Sequence, residues 1–214
     1  FGFGSDNELE ASPNYHIIKH AAFPLPSPHK DDPDFDASHP LPCGKVVGAW
    51  RKRAHAFRPN SVVNVSGMSF GALSGAAVEA LNSGAALAGC FHNTGEGGLS
   101  RHHRHGGDLI FQIGTGYFGC RDERGRFDMG KLKALVASAP QVKAIEIKLS
   151  QGAKPGSGGV LPKQKLTLEI ADIRGVPMTR DCISPAAHTA FKDASSLLDF
   201  VEAIAEETGR PVGI

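Results

Sequence analysis

Two residues of opposite charge each stand between glycines, directly after an apolar run. Glu96 lies in the glycine-rich segment 92–98, which follows the apolar residues 86–91, and Lys154 lies in segment 148–159, which follows residues 144–149. Glycine lets the backbone turn tightly and lets a ligand come close, because it has no Cβ. The two segments therefore predict a site that presents one acid and one base at the ends of two strands. The alternative is that the glycines serve packing and that the two charged side chains only pair with each other.

The elements that would position these residues alternate between strands and helices from residue 61 onward. We predict strands at 61–66, 86–91, 109–113, 143–149 and 211–214, and helices at 74–82, 131–137, 166–173 and 195–207. Ser74 is a suitable N-cap for the first helix, and Gly209 is a suitable stop for the last. Alternating strands and helices indicate an α/β fold with a parallel sheet, in which ligands bind at the carboxyl ends of the strands.

Composition and motif spacing argue against several common functions. The chain has 214 residues and a formal net charge of +1, which gives no electrostatic reason to expect nucleic acid as a partner. Its four cysteines form no C-x-x-C pair, so we predict neither a zinc site nor an iron–sulfur cluster. His102, His103 and His105 lack metal-binding spacing and are predicted to lie in a solvent-facing loop. The G-x-G-x-x-G pattern at 114–119 is not followed by a helix, so a Rossmann nucleotide site is not predicted either.

Residues 1–60 differ in character from the rest of the chain. Six prolines between residues 24 and 42 break up a stretch with little periodic hydrophobicity, which predicts an extended, irregular arm. No apolar run approaches the roughly 20 residues of a membrane span, and Phe1 does not begin a signal peptide. These patterns predict a cytoplasmic protein, although the chain does not begin with Met and an anchor upstream of Phe1 would not be visible.

Several longer motifs resemble the FMN-binding domain of glutamate synthase. In that family's order and similar spacing, the chain carries SGMSFGALS at 66–74, NTGEGG at 93–98, QGAKPG at 151–156 and ISP at 183–185. The stretch QIGTGYFGCR at 112–121 is most similar to the stand-alone, glutamate synthase-related FMN-binding proteins. The resemblance covers roughly residues 62–214. It implies a (β/α)8 TIM barrel with FMN at the carboxyl ends of the strands, of which residues 61–214 would form the first half.

The same resemblance implies roles for individual residues. The residues expected to bind the cofactor are Ser66, Gly67, Met68, Ser69, Asn93, Thr94, Gln112 and Lys148. Lys154 would hold a substrate carboxylate with Gln151 beside it, and Glu96 would face the substrate nitrogen. Glu96 and Lys154 are therefore the expected catalytic residues. Elementary chemistry agrees, because a lysine charge suits a carboxylate and a carboxylate can orient or protonate a nitrogen.

The implied function is that of an FMN-dependent oxidoreductase acting on an amino or imino acid, with an unidentified electron donor. Two positions depart from the family: Val160 and Tyr117 stand where a glutamine and an arginine help to hold 2-oxoglutarate. A first alternative is a flavin-carrying subunit that transfers a group only with partner proteins, as in methylamine–glutamate methyltransferase-like assemblies. A second alternative is an inactive half-barrel, whose exposed strand edges would favour self-association into a homo-oligomer.

Overall fold

The computed structural model describes residues 46–149 and 158–214, which form four α-helices and six β-strands. The helices are α1 (Gly75–Ala88), α2 (Met129–Ser138), α3 (Leu168–Arg174) and α4 (Ala194–Thr208). The strands are β1 (Phe91–Asn93), β2 (Asp108–Ile113), β3 (Val142–Ile147), β4 (Val160–Leu161), β5 (Cys182–Ile183) and β6 (Val212–Gly213). Within these residues, none of the helices is long and apolar enough to cross a membrane.

Four of the strands form one parallel sheet. Their order is β1-β2-β3-β6, and each neighbouring pair runs in the same direction. Val65 extends the sheet by a single parallel bridge to His92, on the far side of β1 from β2. Strands β4 and β5 pair with each other in a separate antiparallel sheet. Parallel neighbours need a crossover connection. It contains α2 between β2 and β3, and α3 and α4 between β3 and β6, whereas the connection from β1 to β2 contains only a short 3-10 helix. The predicted α/β fold with a parallel sheet is therefore confirmed.

The main core lies between one face of the sheet and helices α2 and α4. Side chains alternate between the two faces of a strand, and the residues of β2 and β3 that belong to this core are Leu109, Phe111, Ile113, Val142, Ile145 and Ile147. Each of these is at most 1% exposed. Fully burying such a side chain stabilises the fold by about 1.5–3 kcal/mol. The opposite face of the same strands is consequently free to carry polar residues.

Two of the helix ends lie where capping residues predict them. The Ser74 side chain accepts a hydrogen bond from the backbone N–H of Ala77 at the start of α1, and Asp193 caps α4 through Ser196. Gly209 follows α4 with φ 67°, a left-handed conformation that glycine adopts without a steric penalty. The predicted N-cap at Ser74 and the predicted stop at Gly209 are confirmed.

Two strand predictions in the amino-terminal part of this region are wrong. The apolar run 86–91 is not a strand, because α1 continues to Ala88 and ends at Gly89, and β1 begins only at Phe91. A short apolar run does not distinguish the end of a buried helix from a strand, and alanine favours the helix. The run 61–66 pairs with the sheet only at Val65.

The arm predicted for residues 1–60 is described from residue 46 onward. Residues 46–60 contain neither a helix nor a longer strand, but Val47 and Phe57 form an antiparallel bridge through two hydrogen bonds of 2.8 and 3.1 Å. Residues 1–45, which carry the six prolines, lie outside the described residues.

Candidate active site

Polar side chains gather on the sheet face opposite the main core, at the carboxyl ends of β1, β2 and β3. Asn93 ends β1, Gln112 is the penultimate residue of β2, and Glu146 is the penultimate residue of β3. Gln112 and Glu146 are direct partners in the parallel register. The residues before and after Gln112 and Glu146 in the sequence belong to the main core, so these two side chains point to the opposite face of the sheet.

The carboxylate of Glu146 orients two amides. Its Oε2 accepts hydrogen bonds from Asn93 Nδ2 at 2.5 Å and from Gln112 Nε2 at 2.7 Å. The remaining amide oxygen of Asn93 accepts from the backbone N–H of Gly95 at 2.9 Å. Each amide nitrogen donates one of its two hydrogens to the carboxylate, which fixes the orientation of both side chains and leaves each a second N–H to donate.

Glu96 and Lys148 form an ion pair beside this cluster. Lys148 Nζ lies 3.1 Å from Glu96 Oε1, and the side chains are 25% and 17% exposed, respectively. Gly95, at φ +65°, turns the chain after Asn93 and so directs Glu96 over Gly114, where an added Cβ would overlap the Glu96 carboxylate. The predicted acid therefore pairs with Lys148, the residue that directly follows β3. Whether it also approaches Lys154 lies outside the described residues.

The turn at residues 66–69 crosses next to the same cluster. The Met68 backbone N–H donates to the Asn93 carbonyl at 3.1 Å, and the Met68 carbonyl accepts from His103 Nε2 at 3.0 Å. Two residues later, the Phe70 carbonyl accepts from Arg174 Nη2 at 3.2 Å. The turn is thus fixed by a backbone hydrogen bond to β1 and by the buried side chains of His103 and Arg174.

Glycine allows this turn to come close to the amides. Gly67 is exposed, and a Cβ at this position would lie 3.3 Å from Asn93 Oδ1 and 3.5 Å from Gln112 Nε2. At Gly95 a Cβ would lie 2.7 Å from the Ser69 backbone nitrogen. The exposed backbone of the turn and the amide donors therefore border one surface, to which a flat polar ligand could come close.

Thr94 supports this surface rather than forming part of it. The residue is completely buried. Its hydroxyl oxygen accepts from the backbone N–H of Gln112 at 3.1 Å, and the hydroxyl donates to the Gly95 carbonyl at 3.0 Å. Thr94 therefore holds the ends of β1 and β2 together, which keeps Asn93 and Gln112 in place.

The site contains residues that the sequence patterns did not reveal. His188 and Tyr117 are 8% and 0% exposed, and they lie behind Lys148. His188 Nε2 is 2.9 Å from the Lys148 carbonyl oxygen, and His188 Nδ1 is 3.1 Å from the Tyr117 hydroxyl. Burial lowers the pKa of His188, while its hydrogen bond to the Lys148 carbonyl and the charge of Glu96 oppose that shift. Neither residue lies in a motif whose spacing signals this contact.

The expectation of a solvent-facing histidine loop is wrong for two of its three residues. His102 is 7% exposed and His103 is completely buried in a 3-10 helix, Arg101–His103. His103 Nδ1 accepts from Ser100, whose side chain and backbone nitrogen lie 2.8 and 3.3 Å away. Ser100 and His103 form a capping box at this helix, but the sequence signature of that motif has Glu or Gln in the place of His103, so it gave no signal here. Among the described residues, no group of three or more His, Cys, Asp or Glu side chains is arranged to hold a metal ion.

The structure brings together nearly all of the residues expected at the site. The predicted residues that gather at the carboxyl ends of β1 to β3 are Ser66, Gly67, Met68, Ser69, Asn93, Thr94, Glu96, Gln112 and Lys148. Gln151 and Lys154 fall outside the described residues. Tyr117 points its hydroxyl at residues 188–190 and is completely buried.

Fold and geometry together define an α/β domain with a charged, polar site at the carboxyl ends of parallel strands. Residues 45–214 match the family model described as the conserved region in glutamate synthase, so the chain belongs to the glutamate synthase family. This match confirms the resemblance that the motifs indicated.

Individual relatives extend this finding. The chain is 42% identical over 160 residues to the glutamate synthase large subunit-like protein YerD of Bacillus subtilis (strain 168). It is 37% identical over 155 residues to an archaeal-type glutamate synthase [NADPH] of Thermotoga maritima, and 35% identical over 158 residues to an archaeal glutamate synthase [NADPH] of Methanocaldococcus jannaschii. These matches cover 74%, 71% and 73% of this chain but only 30%, 28% and 28% of the relatives. The chain thus spans about three tenths of the length of these proteins.

Proposed function

We propose that this chain forms part of the (β/α)8 barrel of an FMN-dependent oxidoreductase of the glutamate synthase-related family. The reaction would transfer a hydride or electrons between the flavin and an amino or imino acid that carries a carboxylate. The observation that carries the proposal is the Glu96–Lys148 pair, at 3.1 Å, next to the turn and the oriented amides at the strand ends. A (β/α)8 barrel has sequentially ordered parallel strands with ligands at their carboxyl ends, and the order β1-β2-β3-β6 agrees with that plan.

The residues of the site fit a flavin ring. Flavin presents carbonyl oxygens and ring nitrogens at one edge of a flat system, so it needs hydrogen-bond donors along that edge and open backbone along its face. Lys148 and the amide of Gln112 are the donors we assign to the edge, and the exposed Gly67 leaves room along the face. Ser66, Met68 and Ser69 would line the same face, with Asn93 at its border. The bound FMN would supply the hydride chemistry itself.

Glu96 is the residue we assign to the reacting nitrogen of the substrate. Its carboxylate is partly exposed and is oriented by Lys148, so it can hold an ammonium or imine group and exchange a proton with it. We assign the substrate carboxylate to Lys154 and Gln151. In the direction of imine reduction, the imine carbon gains a hydride and the nitrogen gains a proton. Glu96 is the group that would donate that proton.

The first test uses the full-length protein as purified. We expect visible flavin absorbance and a flavin that is reduced by an added donor, with NADPH as the first candidate because related proteins carry it in their names. The reduced flavin should then be reoxidised by an imino acid, formed from a 2-oxo acid and ammonia, in the absence of oxygen. A colourless protein would overturn the proposal. A flavin that is reoxidised only when partner proteins are added would favour the flavin-carrying subunit instead.

A second test addresses the substrate carboxylate. We expect Lys154→Ala to raise the KM for the acid substrate while flavin content stays unchanged, because a lysine charge holds a carboxylate. Lys133→Ala is the matched control, since that lysine lies on α2 and pairs with Glu207 on α4. Unchanged kinetics in the Lys154 variant would remove this role without affecting the flavin assignment.

A further inference from the structure

Two side-chain hydroxyls, those of Thr115 and Tyr117, attach the segment 185–190 to the loop after β2. The Thr115 hydroxyl donates to the Pro185 carbonyl at 2.6 Å. The Tyr117 hydroxyl accepts from the backbone N–H groups of Thr189 and Ala190 at 2.9 and 3.1 Å. Both anchoring residues lie in the loop that follows β2, which ends at Ile113. The segment that carries His188 is therefore held against the same strand that supplies Gln112.

The partners of His188 determine its tautomer. The Lys148 carbonyl can only accept, so His188 Nε2 must carry the hydrogen that bridges the 2.9 Å between them. Nδ1 is then a lone-pair acceptor, and the Tyr117 hydroxyl must donate to it across 3.1 Å. The Tyr117 hydroxyl has one hydrogen to donate and two lone pairs that can accept. The backbone N–H groups of Thr189 and Ala190 donate to these two lone pairs. The neutral imidazole completes this set of hydrogen bonds.

Aromatic neighbours hold the imidazole ring in this position. His188 stacks on Phe191 with ring centroids 4.6 Å apart and an interplanar angle of 25°. Tyr117 lies 5.3 Å from the imidazole, and Phe127 and Phe200 complete the cluster. Tyr117 has φ 50°, an uncommon conformation for a residue with a side chain, and it is completely buried. The surrounding structure therefore determines where this hydroxyl lies.

Both backbone polar groups of Lys148 are consequently fixed. Its N–H donates to the Ile113 carbonyl at 2.9 Å, and its carbonyl accepts from His188. Lys148 is the first residue after β3, so among the described residues it lies beyond the strand pairs that β3 forms. Without His188, the backbone of Lys148 would keep only its hydrogen bond to β2. The Cα of Lys148, from which the side chain extends to Glu96, would then be held less firmly.

We propose that His188, oriented by Tyr117, is the positioning residue that holds Lys148 against Glu96. This inference rests on the proposed function, because fixing Lys148 matters for catalysis only if the Glu96–Lys148 pair works at the flavin and the substrate. His188 itself donates to a backbone carbonyl, so its role is to position the residue that contacts the ligands.

Four variants of the full-length protein separate this role from general packing. His188→Phe keeps an aromatic ring against Phe191 and loses both hydrogen bonds, whereas His188→Gln can still donate to the Lys148 carbonyl. Tyr117→Phe removes only the hydroxyl. Phe200→Leu is the control, because it perturbs the same aromatic cluster through Phe127 and Phe191 without belonging to the hydrogen-bonded set.

The first measurement is hydrogen exchange at the amide of Lys148. We expect exchange roughly tenfold faster in His188→Phe and in Tyr117→Phe, because each variant loses hydrogen bonds that tie the His188 segment to Lys148 or to Tyr117 and so oppose local opening. His188→Gln should remain close to the wild-type rate, and Phe200→Leu should change it much less than His188→Phe does. Equal rates in His188→Phe and Phe200→Leu would overturn the proposal, since only packing would then matter.

The second measurement separates the positioning role from the proposed function. With flavin content matched, kcat of His188→Phe should fall by about tenfold with a smaller change in KM, because a misplaced catalytic group slows the reaction more than it weakens binding. His188→Gln should recover most of this loss. A kcat equal to wild type in His188→Phe would overturn the catalytic part of the proposal. If the wild-type protein holds no flavin, the proposed function fails, and hydrogen exchange still decides whether His188 fixes Lys148.

Discussion

Two lysine–glutamate pairs in this molecule have the same chemistry but different surroundings. Lys133 on α2 and Glu207 on α4 lie 2.5 Å apart on the outer helical layer, and both side chains are 50% exposed. Lys148 and Glu96 lie 3.1 Å apart at the carboxyl ends of the strands, and they are 25% and 17% exposed. The shorter pair is the one that water screens more effectively. The distance between the charged atoms therefore does not by itself show which pair interacts more strongly.

The comparison shows that the neighbouring residues and the exposure of an ion pair decide whether it can act on a ligand. The outer pair joins two helices whose contact already depends on apolar residues such as Leu132, Val136 and Ile204. The inner pair adjoins an oriented set of side chains, in which Glu146 fixes Asn93 and Gln112, and His188 fixes the backbone of Lys148. A charge held in fixed geometry and partly withdrawn from water can act on a ligand, whereas a solvated surface pair contributes little.

Removal of the inner lysine charge should have the largest effect. For Lys148→Met in the full-length protein, we expect kcat to fall by about 10²–10³-fold, because a preorganised donor at the site is lost. Lys133→Met should leave kcat unchanged, since its side chain lies on the helical layer. Steady-state kinetics on both variants check this. Similar losses in the two variants would end the distinction between the pairs.

Crowding of Glu96 should produce the next largest effect. Gly114→Ala places a Cβ closer to Glu96 Oε2 than van der Waals contact allows, so that the acid must leave the position in which it now pairs with Lys148. We expect a loss of about 1–3 kcal/mol in the free energy of unfolding, together with reduced activity. Gly84→Ala is the matched control, because nothing lies within 4 Å of its added Cβ and it stands inside α1.

The control should act in the opposite direction. Alanine in a helix interior is favoured over glycine by roughly 0.5–1 kcal/mol, so Gly84→Ala should raise stability and leave activity intact. Denaturant unfolding measures both variants. A Gly114→Ala protein as stable and active as wild type would show that the Glu96 position is not defined as the structure describes it.

A buried histidine near the site should make stability depend on pH. Burial, reinforced by neighbouring His103, lowers the pKa of His92 to about 4 from the usual 6.5. Between these two values the unfolded chain binds a proton that the folded chain does not, so stability is fully present above pH 6.5 and is lost as pH falls toward 4. The slope from this residue approaches about 1.4 kcal/mol per pH unit.

The pH prediction can be checked by one substitution. His92→Phe keeps a ring of similar size and removes the titrating group, so its free energy of unfolding should vary less between pH 7 and pH 5 than that of the wild type. Urea unfolding at several pH values supplies the measurement. Parallel curves for the two proteins would mean that His92 does not titrate as its burial requires.

The outer pair should show the smallest effect. A double-mutant cycle of Lys133→Ala and Glu207→Ala should give a coupling energy within about 0.5 kcal/mol, because both side chains are half exposed. The coupling should fall further in 1 M salt, where the screening length shrinks to about 3 Å. A coupling above 2 kcal/mol would contradict the view that exposure decides the strength of this pair.

The sequence was sufficient to predict the parts of this protein that depend on local rules. Ser74, Gly209 and the apolar runs at 109–113 and 143–149 predicted elements that the structure confirms, because capping, left-handed φ and strand-forming runs are properties of a few neighbouring residues. The glycines around Glu96 predicted the turn that directs this acid toward the strand ends. The motifs at 66–74 and 93–98 indicated the family, and the family model agrees.

Only the tertiary structure decided which groups meet. Nothing in the sequence pairs Glu96 with Lys148, joins Glu146 to two amides on other strands, or brings His188 to the Lys148 carbonyl. These contacts join residues between 34 and 53 positions apart. Local patterns carry no information about such distances, whereas the register of parallel strands and the path of the chain between them do. The residue types were therefore a property of the sequence, and the site was a property of the fold.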